Sequence, residues 1–131
     1  MAGISPGLKG EHRCRVTKDI AVDFLGRDGA NVLGTPFLIM LLEMTARDSM
    51  LPHLDPGFDS VGAEVCVRHL AATPIGMEVR FETKVIEVAG RRIKFKVAAF
   101  DEKEQISDGT HERFIIHVER FAKRLSEKRA G

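Results

Sequence analysis

The residues from Phe37 to Leu51, FLIMLLEMTARDSML, constrain this chain more than any others. Thr35 can cap a helix, Pro36 suits the first helical position, and no breaker follows until Pro52, which predicts a helix of about four turns. Phe37, Leu38, Ile39, Met40, Leu41, Leu42, Met44 and Ala46 leave no wide polar face in its first half. A helix that is apolar nearly all round cannot rest on a surface with one side in water. Something must wrap it.

The rest of the chain supplies strands for that purpose. Val61, Ala63, Val65 and Val67 alternate with Gly62, Glu64, Cys66 and Arg68. Met77 to Val85 and Ile93 to Ala99 alternate in the same way on either side of a turn at Ala89 and Gly90, and predict a hairpin. A last long run, Gln105 to Val118, precedes a charged helical tail over 119–131, and Glu11 to Lys18 alternates weakly enough to make a further strand before the helix. Asp23 to Gly34, with Gly26, Gly29 and Gly34, reads as a loop able to cover a site. The fold class expected is α+β, one long antiparallel sheet curled around one central apolar helix. At 131 residues this is a single domain, 1–131, with residues 1–9 loose. Open sheet edges are usually covered or paired, which favours a homodimer joined edge to edge.

Charge excludes several partners. Lys plus Arg is 20 and Asp plus Glu is 19, so a net charge of +1 offers no footprint for nucleic acid or an anionic membrane. Cys14 and Cys66 follow no redox or metal spacing and read as free thiols of a reducing compartment, and Met1 to Lys9 has no apolar leader core, so a cytoplasmic location is expected. His12, His53, His111 and His117 form no zinc signature, and no phosphate loop, dinucleotide fingerprint or serine-hydrolase elbow is present, so neither metal nor cofactor is expected.

Glu43 is the sharpest clue to chemistry, because it is the one acid in the first half of the apolar helix. It either pairs with Arg47, its i+4 neighbour, or is buried for a purpose. His69 ends the row Val61, Ala63, Val65, Val67 and can point at the helix, where a neutral imidazole can move a proton near pH 7. Equally, it can be a strand-end histidine with ordinary hydrogen bonds. Thr35 is either a helix cap or a hydroxyl that orients water or substrate. Eight residues of helix rise about 12 Å, so Thr35 and Glu43 cannot touch on one regular helix unless the chain folds back or a second subunit contributes. Arg113, an arginine among apolar neighbours, can pair with Glu43 or with a substrate phosphate.

Three segments carry a resemblance: Gly34-Thr-Pro-Phe with Leu-Leu-Glu43-Met-Thr-Ala, Val65-Cys-Val-Arg-His69-Leu-Ala-Ala-Thr-Pro-Ile-Gly76, and Asp108-Gly-Thr-His-Glu-Arg113-Phe-Ile-Ile-His-Val-Glu-Arg-Phe121. In order and spacing they resemble the fluoroacetyl-CoA thioesterase family of hot-dog fold proteins, from about Lys9 to Arg124. The resemblance implies catalytic roles for Thr35, Glu43 and His69, a glycine facing the acyl group at Gly62, and a site arginine at Arg113. It also implies a homodimer that binds an acyl-CoA at its interface and hydrolyses it to free acid and CoA, with no cofactor beyond the CoA of the substrate. Gly26 and Gly29 stand where the fluoroacetyl-CoA enzyme is rich in aromatics, so the acyl group is left open. Two other readings remain: an acyl-CoA binding module without turnover, and a hot-dog dehydratase or hydratase, which would use a helix histidine that this chain lacks.

Overall fold

The computed structural model describes residues 3–131. Five strands form one antiparallel sheet: β1 (Lys9–Arg15), β4 (Phe58–His69), β5 (Glu78–Ala89), β6 (Arg92–Phe100) and β7 (Gln105–His117), in the order β1-β5-β6-β7-β4. Helix α1 (Thr35–Met50) lies against one face of that sheet, and a C-terminal helix α2 (Val118–Ala130) follows β7 directly. Two short strands, β2 (Ala21–Val22) and β3 (Val32–Leu33), pair with each other, β2 just before the stretch expected to be loop and β3 near its end.

The predicted helix is present, with one change at its start. Gly34 is the N-cap residue and Thr35 the first helical one, and no side chain caps the helix. The Thr35 hydroxyl is thereby released for another partner. Leu38, Leu42, Ala46 and Met50 recur every four residues and are buried against Val79, Phe81 and Val85 of β5, Phe95 and Val97 of β6, and Ile106 and Ile115 of β7. Leu38, Leu42 and Met50 each contribute about 1.5–3 kcal/mol of burial, and Ala46 less, which fixes the helix in the sheet's concavity. The wrapping is incomplete, because Met40 and Met44 on the side away from this core stay 44% and 49% exposed.

The N-terminal segment is better held than its composition predicts. Gly3 N–H donates to the His53 carbonyl, Ile4 is buried in the core, and Gly7 N–H donates to Val85; Met1 and Ala2 lie outside the described residues. The sequence alternation of β4 also needs one correction. The β4–β7 register shifts between Gly62 and Glu64, a bulge at Ala63. Side chains alternate strictly along a regular strand, so one extra residue exchanges the faces beyond it. Gly62 pairs with Arg113 and Val65 with His111, both of which face α1, whereas Val61 pairs with Phe114 on the outer face. Val61 and His69 therefore do not share a row as the alternation implied; Gly62 and His69, an odd seven residues apart, do.

Candidate active site

Helix α1 and strand β4 run antiparallel, and their polar contacts come in three steps. Thr35 meets His69 at one end, Glu43 lies over Gly62 in the middle, and Arg47 meets Asp59 at the other end. The last contact decides between the two readings of Glu43. Arg47 makes a bidentate pair with Asp59, at 3.0 and 2.7 Å, and holds the Asp59 carboxyl below its usual range. Arg47 is committed elsewhere, so Glu43 does not take its i+4 neighbour as a partner.

Glu43 instead faces a buried cation. Arg113 is 5% exposed; its Nε donates to Ser60 Oγ at 2.7 Å, its Nη2 to the Ser60 carbonyl at 2.9 Å, and its Nη1 to His111 Nε2 at 3.2 Å. The same Nη1 lies 3.5 Å from Glu43 Oε2. His111, 1% exposed, has Nδ1 2.8 Å from the Glu64 carbonyl. A carbonyl can only accept, so Nδ1 carries the hydrogen and Nε2 is left as an acceptor, as the Arg113 contact requires. Burial holds the His111 imidazole below its ordinary value, and the Arg113 charge acts in the same direction, so the ring stays neutral. Neither His111 nor Ser60 stood out in the sequence. The usable signal was the alternation of His111 with Arg113, which puts both on one face of a strand.

Gly62 completes this part of the site by having no side chain. A Cβ there would collide with Glu43 Oε2 and stand 3.5 Å from His111 Cε1. The space beside the carboxylate exists because this position is glycine.

The other part lies at the helix start. Thr35 Oγ1 and His69 Nδ1 are 2.8 Å apart. His69 Nε2 is buried and has no hydrogen-bond partner among the described residues, and burial lowers the pKa of the ring. A buried, unpartnered polar atom is uncommon and costs of order 1–3 kcal/mol unless a ligand or water meets it. A cavity of about 340 Å³ adjoins the pair, lined by Val22, Phe24, Val32, Leu33, Thr35 and His69 among others. Phe24, 78% exposed, stands in its wall. In one chain, then, the structure brings Thr35 to His69 and Glu43 to Gly62 and Arg113, and leaves the two groups apart along the helix, as the rise of about 12 Å demanded.

A long antiparallel sheet folded around one apolar helix, with a carboxylate and a Thr–His pair along the helix side of an edge strand, defines a hot-dog protein of the thioesterase type. A hot-dog-like protein from Thermanaerovibrio acidaminovorans superposes with a TM-score of 0.86 at 24% identity, covering 94% of this chain and 91% of that one, a likeness of fold. The chain belongs to the fluoroacetyl-CoA-specific thioesterase (FlK) family, whose model matches residues 16–119. It is 40% identical over 97 residues to the fluoroacetyl-CoA thioesterase of Streptantibioticus cattleyicolor, spanning 74% of this chain and 70% of the relative. A solved structure of the fluoroacetyl-CoA thioesterase FlK superposes with a TM-score of 0.87 at 34% identity, covering 96% of this chain and 98% of that one.

Proposed function

We propose that two copies of this chain form an acyl-CoA thioesterase in which Glu43 of one protomer works opposite the Thr35–His69 pair of its partner. The reaction class rests on the family, and a solved variant of the fluoroacetyl-CoA-specific enzyme, in complex with fluoroacetate and CoA, supports a small acyl-CoA as substrate. The composite site rests on the geometry of β4. The sheet has two edges. β1 is short and carries Lys9, Glu11, Arg13 and Arg15, charges that discourage edge pairing. β4 has twelve residues, and its centre, Gly62-Ala-Glu-Val-Cys-Val, bears one charge. Next to it lie the exposed Met40 and Met44 of α1, so pairing of β4 with itself would cover both the open edge and the bare side of the helix.

Gly62 and His69 lie on the same face of β4 and, because the bulge leaves Ala63 out of the pairing, each stands three paired positions from Cys66. A two-fold axis at that point sets Gly62 directly opposite the partner's His69, at a cross-strand spacing of about 5 Å. Glu43, which touches Gly62, then reaches the imidazole that its own chain holds too far away.

In this arrangement Glu43 takes a proton from water, whose oxygen attacks the thioester carbonyl carbon. The C–S bond breaks, and the thiolate leaves with little help. His69 Nε2, unpartnered in the free chain, meets the substrate, and Thr35 fixes the ring through Nδ1. Arg113, held by Ser60 and neutral His111, orients the Glu43 carboxylate. The unpartnered His69 Nε2 is the observation that carries the assignment. The test is complementation. Glu43→Gln and His69→Ala chains should each lose at least ~10²-fold in thiol release. Mixed in equal amounts and allowed to exchange, they should regain about a quarter of wild-type activity, because half the dimers then hold one intact site. If each variant is impaired and the mixture stays inactive although mass spectrometry shows mixed dimers, both groups act within one protomer and the composite site is wrong.

A further inference from the structure

The outer face of the sheet carries a second recess, of about 200 Å³, on the side away from α1. Val61 of β4, Phe114 and Ile116 of β7 and Phe121 of α2 give it an apolar floor, and Phe114 is 44% exposed. Arg91, Arg120 and Arg124 stand around that floor. None of the three forms an ion pair among the described residues. Nearby Glu112 is taken by Arg92, at 3.5 Å. His117, which also lines the recess, accepts from Arg120 N–H at the start of α2, so the helix that brings Arg120, Phe121 and Arg124 is fixed to the end of β7. Three unpaired guanidiniums about an aromatic floor suit a ligand with a flat ring and more than one phosphate.

We propose that this recess binds the phosphorylated nucleotide end of the acyl-CoA substrate. The inference rests on the composite thioesterase site described above. Val61 is the chain neighbour of Gly62, and Phe114 of Arg113, so the recess and the Glu43 site stand back to back across the sheet at its β4 edge. With the two-fold axis at Cys66, the partner's strand ends at the residue opposite Gly62, and the edge is open from Val61 onward. The pantetheine arm leaves the thioester at Glu43, rounds the strand at Val61 and delivers the nucleotide to the arginines. The flat ring lies on Phe114 and Phe121, and the phosphates take the guanidiniums.

The test pairs two substrates and one probe. Thiol release is measured for the preferred acyl-CoA and for the matching acyl-pantetheine, which lacks the nucleotide, with wild type and with the Arg120→Ala, Arg124→Ala double variant. Both side chains are exposed and form no ion pair among the described residues. The expected result is a KM for acyl-CoA raised about tenfold or more, with kcat and the acyl-pantetheine KM unchanged, as loss of binding remote from the reacting atoms requires. Adenosine 3′,5′-bisphosphate should compete with acyl-CoA for wild type and bind it in calorimetry, and bind the variant at least ~10-fold more weakly. Equal effects on both substrates, inhibition that is not competitive, or no bisphosphate binding to wild type would overturn the proposal. Hydrolysis of neither substrate by wild type would sink the thioesterase reading instead, while the calorimetry would still decide the recess.

Discussion

Gly62→Ala separates activity from stability more sharply than any change to a charged residue. The added Cβ collides with Glu43 Oε2, comes to 3.4 Å from Glu43 Cδ and to 3.5 Å from His111 Cε1. The imidazole cannot retreat, because Nδ1 is tied to the Glu64 carbonyl and Nε2 to Arg113. The carboxylate must give way by about 1 Å to reach van der Waals contact, at an off-rotamer cost of about 0.5–1.5 kcal/mol. The oxygen that must move is the one 3.5 Å from Arg113 Nη1, so the ion pair is disturbed with it.

Against that cost, Gly62 has no positive φ, so alanine fits the backbone and stiffens the unfolded chain by about 0.4–1 kcal/mol. The two terms nearly cancel. The melting temperature should stay within about 5 °C of wild type, whereas a misplacement of about 1 Å at the reacting group should lower kcat/KM by about 10²-fold. Adding Glu43→Gln to this variant should cost much less than it does in the wild type, because the carboxylate is already displaced. Thermal unfolding and thiol release on the same preparations read all of this. Activity within threefold of wild type, or a loss of stability beyond about 3 kcal/mol showing that the backbone and not the carboxylate yields, would refute the reasoning.

His111→Gln and His111→Asn form a matched pair, since glutamine reaches the Nε2 position and can still accept from Arg113, whereas asparagine replaces only Nδ1; glutamine should stay within a few-fold of wild type and asparagine lose about tenfold or more in kcat. Burial holds His69 and His111 below the ordinary histidine pKa, so below about pH 6.5 the unfolded chain binds more protons than the folded one; the melting temperature should fall from pH 7 towards pH 5, and less steeply in His111→Gln. Val65→Lys places a charge at the centre of the bare β4 edge, and should give a monomer by light scattering with thiol release down at least ~10²-fold, whereas an active monomer would contradict the composite site.

The helix and the β5–β6 hairpin were legible because their periods repeat over many residues: four buried positions at i, i+4 spacing in α1, and strict alternation from Val79 to Val85 and from Ile93 to Ala99. Thr35 stayed open between a cap and a hydroxyl for the site, since a threonine before a proline fits the cap position and the first helical turn equally well, and only the partner of its hydroxyl distinguishes them. The face that Gly62 takes on β4 failed to show in the alternation for a different reason. Alternation along 61–69 put Val61 with His69 and left Gly62 on the far side, and nothing in the composition around Ala63 announces a bulge. Yet the family motifs assign Gly62 and His69 to one site, and two residues seven apart cannot share a face of a regular strand. Taken together, periodicity and motif already require one inserted residue between them. Its position at Ala63 then determines which side chains the edge strand offers to the helix face and which, starting with Val61, it turns to the arginines behind.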